Sequence, residues 1–141
     1  PVYYGLQMLA QAEENRIQLD STRFTETEAS AFEGNREKQV LLYRFNPRQT
    51  ELPGEKVKIQ VELENAPRRV YLQRIDEDHC NPRKIWEKMG SPNDLNRQEV
   101  AQIMEASAMR DEELRYRYER GVLTTEVSVG VNDVYFTRIV K

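Results

Sequence analysis

One cysteine (Cys80), one histidine (His79) and one tryptophan (Trp86) are all that this sequence offers of three chemically versatile residue types. A lone cysteine excludes an internal disulfide and any zinc site built on several thiolates. A lone histidine removes most histidine-based metal and triad chemistry. Six glycines and six prolines are too few for a linker or a low-complexity chain. No apolar run approaches the roughly 18 residues that a membrane helix needs, so a spanning helix is excluded. Neither sign of charge dominates, since 21 Lys and Arg stand against 24 Asp and Glu for a net charge of −3. That balance gives no electrostatic reason to expect nucleic acid or an anionic membrane as partner. Gly-rich phosphate loops, a Gly-x-Ser-x-Gly elbow and internal repeats are absent as well.

What remains is a chain of 141 residues, 38% hydrophobic and 32% charged, enough for one domain with one core of moderate size. It begins at Pro1 without the n-region or h-region of a signal peptide. A fragment and a chain trimmed of its initiator Met read alike here. The compartment stays open, with the unpaired cysteine leaning towards a reducing, cytoplasmic one.

The periodicity predicts a short helix over Val2 to Ala12, where Val2, Leu6, Leu9 and Ala10 share one face. Gly5 costs such a helix about 1 kcal/mol, so it needs a surface to pack on. From Leu19 the period changes to two. Arg23 to Thr27 reads as a strand, and Glu33-Gly34-Asn35 as a turn. Gln39 to Phe45 is apolar on both sides, as a covered central strand would be. Val57, Ile59, Val61 and Leu63 alternate with polar residues, which marks a strand with one buried and one wet face. Val70 to Ile75 supplies another strand. Ile85, Trp86 and Met89 then have helical spacing, and Asn96-Arg97-Gln98-Glu99 is a capping box. It opens a helix to about Ala108 that carries Val100, Ile103, Met104 and Ser107 on one face. Leu114, Tyr116 and Tyr118 alternate as a strand, followed by Val122 to Val129 and Val134 to Val140 around a turn. About seven short strands with one helical insertion predict a mainly β fold, an antiparallel β-sandwich with an N-terminal helix.

The densest cluster of reactive side chains is Asp76-Glu77-Asp78-His79-Cys80-Asn81. Adjacent residues cannot all converge on one ion, and neighbours on an extended segment point to opposite sides. The cluster therefore reads as a strand-to-helix junction in which Asp76 or Asp78 binds loose amides and His79 ties the loop down. Trp86 reads as a core anchor, largely buried, because an exposed indole leaves much apolar surface in water. No acid sits in an apolar setting that would raise its pKa for glycoside hydrolysis. Catalytic, cofactor and metal residues are therefore expected to be absent. Tyr71, Trp86, Tyr116, Tyr118 and Tyr135 leave a sugar-stacking platform as the alternative, and a small hydrolase centred on His79 as a second one. The Arg-rich run from Arg110 to Arg120 is interleaved with acids, as a solvated strand face would be.

The stretch Arg74-Ile75-Asp76-Glu77-Asp78-His79-Cys80-Asn81-Pro82, followed by Trp86-Glu87-Lys88-Met89-Gly90-Ser91-Pro92, resembles the C-terminal region of glycoside hydrolase family 39, the β-xylosidase and α-L-iduronidase family. The resembling motif residues are Arg74, Asp76, His79, Asn81, Trp86 and Gly90, while Cys80 stands where Ser or Gly is more usual. Pro1 to Leu6 is similar to the last helix of the family's catalytic barrel, Val40 to Tyr43 to the first long strand beyond it, and the Gln98 to Ala108 helix also fits. The resemblance implies residues 1–18 as a terminal helix and linker from an upstream barrel, and 19–141 as an accessory β-sandwich with a helical insertion at about 82–108. It implies a parent that is a retaining, β-xylosidase-like glycosidase whose two catalytic glutamates lie upstream, so none is carried over. The implied partner is the parent's own barrel, with a homo-oligomer left open.

Overall fold

A computed structural model describes residues 2–19, 26–48 and 51–141. Two antiparallel sheets face one another, and their order along the chain explains the alternating pattern. The larger sheet contains β1 (Asn15–Ile17), β2 (Thr27–Glu33), β3 (Glu37–Arg44), β5 (Arg69–Ile75), β6 (Glu112–Glu113) and β9 (Val134–Val140), in the spatial order β1-β2-β3-β9-β5-β6. The smaller one runs β4-β8-β7, with β4 (Glu55–Glu62), β8 (Val122–Val129) and β7 (Arg117–Glu119). Three helices complete the described residues: α1 (Val2–Leu9), α2 (Pro82–Lys88) and α3 (Arg97–Ser107).

The central strand β3 shows why both of its faces are apolar. Leu42 lies opposite Tyr135 of β9, and Leu41 lies opposite Phe136. Leu42 and Tyr135 point towards the small sheet and pack with Val57, Ile59, Val127 and Val129. Leu41 and Phe136 point the other way and pack around Met8 of α1, which is completely buried. The molecule is thus layered, with α1 on the far face of the large sheet and the small sheet on its near face. Two glutamines of the large sheet hold the chain that leaves α1. Gln39 Nε2 donates to the Gln11 carbonyl and Gln39 Oε1 accepts from Glu13 N, while Gln73 and Gln11 join through their amides.

The sandwich, the terminal helix and the strands at Val57, Val70, Val122 and Val134 are as the periodicity predicts. Four details differ. The helix at the start ends at Leu9, where Gln11 N to Met8 O and Ala12 N to Leu9 O tighten the last turn. The run from Leu114 to Tyr118 is not one strand. β6 pairs with β5 in the large sheet and β7 with β8 in the small one, so the segment crosses between sheets. Alternation alone cannot distinguish the two, because Leu114 and Tyr118 are half-buried against the same inner core in either case. On α3 only Ile103 and Ser107 are buried, while Val100 and Met104 are exposed. The short strand β1 is too polar to carry a signal, and the expected strand at Arg23 to Thr27 lies outside the described residues up to Thr25.

Candidate functional site

The end of β5, with Arg74, and the segment that follows it carry the six motif residues, and Asp76 is the hub. Its Oδ1 accepts from the amides of Asp78 at 2.9 Å and His79 at 2.8 Å, and meets His79 Nδ1 at 2.7 Å. Its Oδ2 accepts from the Tyr135 hydroxyl at 3.2 Å. The carboxylate is 11% exposed, and its lone pairs are taken by donors of the chain itself. The other imidazole nitrogen of His79 stands 3.4 Å from Glu112 Oε1, and Glu112 Oε2 accepts from Arg74 at 2.6 Å. Arg74 also lies over the Tyr135 ring, 6.0 Å from its centre. Asp76, His79, Arg74 and Glu112 therefore tie the loop to β6, the edge strand of the large sheet.

Asn81 begins α2. Its side chain accepts from Lys84 N at 3.3 Å and donates to the Glu77 carbonyl at 3.1 Å, with Pro82 at the first helical position. Lys84 hydrogen bonds Asp78, which holds that carboxyl below the usual range. At the other end of α2, Gly90 takes φ +92° and Ser91 φ 53°. A Cβ at Gly90 would meet nothing within 4 Å, so the left-handed backbone alone calls for glycine. Cys80 likewise has φ 55°, which explains why Gly suits this position. The Cys80 thiol is buried, which pushes its pKa up and away from a reactive thiolate.

Trp86 departs from the expectation of a core anchor. No residue of α2 is buried, and the indole is half-buried, with Nε1 donating to the Pro92 carbonyl at 2.9 Å. The indole thus braces the α2 to α3 connection and stays out of the sandwich core. The reason is topological: α2 packs on α3, outside both sheets.

Reading by residue type missed Asp133 and Glu112. The Tyr135 hydroxyl lies 3.1 Å from Asp133 Oδ2 as well as 3.2 Å from Asp76 Oδ2. Burial pushes the Asp133 carboxyl up, against the pull of its bond from Gly130 N. Burial, and then the charges of Asp133 and Asp76, push the Tyr135 phenol up. Carboxylates held close together with separated pKa values are a pattern used for acid and base work. Here the donors of loop and sheet occupy them, so the pair is a half-buried strut. Among the described residues, no three His, Cys, Asp or Glu side chains converge as metal ligands. What the arrangement does chemically is fasten a loop.

The model of the family "Glycosyl hydrolases family 39" matches residues 1–124. A β-xylosidase of Caldicellulosiruptor saccharolyticus is 29% identical over 118 residues, covering 82% of this chain and 24% of that protein. The fold is similar to that of a GH39 enzyme from Xanthomonas axonopodis pv. citri, with a TM-score of 0.69 and 17% identity over 99% of this chain and 30% of that one. It is also similar to a monomeric β-xylosidase from Caulobacter crescentus CB15, with a TM-score of 0.66, 16% identity and the same two coverages. The chain thus spans 24 to 30% of the length of these relatives.

Proposed function

The chain belongs to glycosyl hydrolase family 39, and from that premise we propose that it is the non-catalytic C-terminal β-sandwich of a larger, β-xylosidase-like enzyme, docked on the catalytic barrel through α1. The observation that carries this reading is the double character of α1. Tyr4 and Met8 are buried against the large sheet and α3, while Tyr3, Leu6 and Leu9 are 66, 62 and 51% exposed. At 100° per residue these two sets lie on opposite sides of the helix. A helix that is apolar on opposite sides belongs between two bodies, and this chain supplies only one. The relatives' greater length leaves room for the second. Residues 1–18 then form the joint and 19–141 the accessory domain, with Arg74, Asp76, His79, Asn81, Trp86 and Gly90 as its structural motif. Hydrolysis of O-glycosidic bonds, with the two carboxylates about 5–5.5 Å apart that retention requires, belongs to the barrel.

The test compares one substitution in two settings. In this chain alone, Leu6→Glu is a surface change and should move stability by no more than about 0.5 kcal/mol. In the whole enzyme it buries a carboxylate at the joint and should lower the melting temperature or separate the two bodies. An unchanged whole enzyme rejects α1 as the joint. This chain alone should release no chromophore from an aryl β-xyloside beyond the buffer rate, and turnover abolished by His79→Ala would make it an enzyme in its own right.

A further inference from the structure

The outer face of the small sheet carries a groove of about 960 Å³ whose charge runs against that of the whole chain. Lys58, Arg115, Arg117 and Arg120 line it, opposed by two carboxylates, Glu119 and Glu126. The chain as a whole is net negative. Glu126 faces Lys58 across the β4 and β8 pairing, and Glu119 approaches Arg117 only to 3.8 Å. Among the described residues, Arg115 and Arg120 make no ion pair through their side chains. Gln60, Thr124 and Arg117 stand side by side on neighbouring strands and offer hydrogen-bonding groups along the floor. Tyr116 stands at the same groove, 42% exposed, with its ring free to cover an apolar face of a ligand.

We propose that this groove binds an oligosaccharide that carries uronic-acid carboxylates. A pyranose presents a C–H face to an aromatic ring and hydroxyls to amides and hydroxyls of the floor, which Tyr116, Gln60 and Thr124 match. Arg binds a carboxylate by a two-pronged pair of charge-assisted bonds, and Arg115, Arg117 and Arg120 provide three such forks. Charge complementarity therefore favours a sugar bearing carboxylates over a neutral one. The layering keeps the groove accessible, because α1 lies on the far face of the large sheet and the groove on the opposite side of the molecule. That last step rests on the barrel docking at α1.

The experiment titrates this chain with a xylotetraose bearing one glucuronosyl branch, with unbranched xylotetraose and with polyglutamate, at an ionic strength of about 0.01 M, where charges act over about 30 Å. The acidic oligosaccharide should bind saturably, about tenfold tighter than the neutral one, a difference of about 1.4 kcal/mol. Its amide shifts should map to β7, β8 and Tyr116. Tyr116→Ala and Arg117→Gln should each weaken binding about fivefold or more, and salt should weaken it further. Equal affinity for the neutral sugar, polyglutamate binding as tight as the sugar, unchanged binding by both variants, or no binding at all would each overturn the proposal. Because the titration uses this chain alone, its failure leaves docking through α1 untouched.

Discussion

The Tyr4 hydroxyl and Ser107 Oγ meet at 2.8 Å, both buried, across 103 residues of sequence. Ser107 spends its own proton on the Ile103 carbonyl at 2.7 Å, so Tyr4 is the donor. This bond joins the first helix of the chain to the last. It also explains why α3 buries Ile103 and Ser107 while its apolar Val100 and Met104 stay outside.

The two partners are not equivalent to remove. Tyr4→Phe leaves Ser107 with its bond to Ile103 and should cost about 1 kcal/mol. Ser107→Ala orphans a buried phenol and should cost more, about 1–3 kcal/mol. The double variant should be less destabilised than the sum of the two single ones, read as a coupling from denaturant unfolding midpoints. Additive costs would show that the two oxygens do not interact.

Met8 is the residue by which the sandwich holds α1. Met8→Ala should cost about 2–5 kcal/mol in this chain, because the cavity opens among Leu41 and Phe136. Leu9→Ala, on the other face, should stay within about 0.5 kcal/mol here. Equal effects of the two would mean that α1 does not have distinct inner and outer sides.

The β-sandwich was legible because Val57 to Leu63 obeys a strict period of two with one wet face, and the runs at Val70, Val122 and Val134 are bounded by turn residues. The central strand was legible because Leu41 and Leu42 are apolar in succession, and the structure gives each its own layer. The loop was legible at Asp76, His79 and Asn81, since adjacent donors and acceptors with no common focus can only satisfy one another. Glu112 was not, because its bond from Arg74 spans 38 residues, and Asp133 was not, because its local bonds meet the loop only through the Tyr135 hydroxyl, 59 residues from Asp76. Trp86 misled for the same reason. An indole must be covered, but the sequence does not say by what, and a backbone carbonyl six residues on serves in place of the core. Tyr116 and its arginines read as a solvated face because alternating charges cancel along the chain, whereas the sheet places the cations together.

Asp133 gives the domain a pH signature. Burial raises its carboxyl pKa in the folded state above the unfolded value of about 3.9. A raised pKa contributes stability that is present below that unfolded value and lost as pH rises through the folded one. Asp133→Asn keeps an acceptor for Gly130 N and removes the charge beside Asp76. The variant should be more stable than the parent at pH 7, and the gap should close as pH falls below about 3.9. Urea unfolding at several pH values measures this. A variant less stable at pH 7 would show that the Asp133 charge is favourable and that the Tyr135 hydroxyl is committed to it.

The loop after β5 should fail at its acid before its indole. Asp76→Ala orphans the Asp78 and His79 amides, removes the partner of His79 Nδ1 and leaves the Tyr135 hydroxyl with Asp133 alone. With each buried orphan costing about 1–3 kcal/mol and water reaching the outer ones, the loss should be about 3 kcal/mol or more. Trp86→Ala removes a half-buried ring and one bond to Pro92, and should cost less, about 1–3 kcal/mol. His79→Ala gives up a single imidazole that is 39% exposed and should cost least, about 1 kcal/mol. The order follows from where each group sits: Asp76 joins loop to sheet, Trp86 joins two helices outside the sheets, and His79 reaches Glu112 through a long contact at the rim. Denaturant midpoints of the three variants beside the parent decide it. If Trp86→Ala is the most destabilised, the α2 and α3 insertion is part of the cooperative core, and the sandwich cannot hold its fold without it.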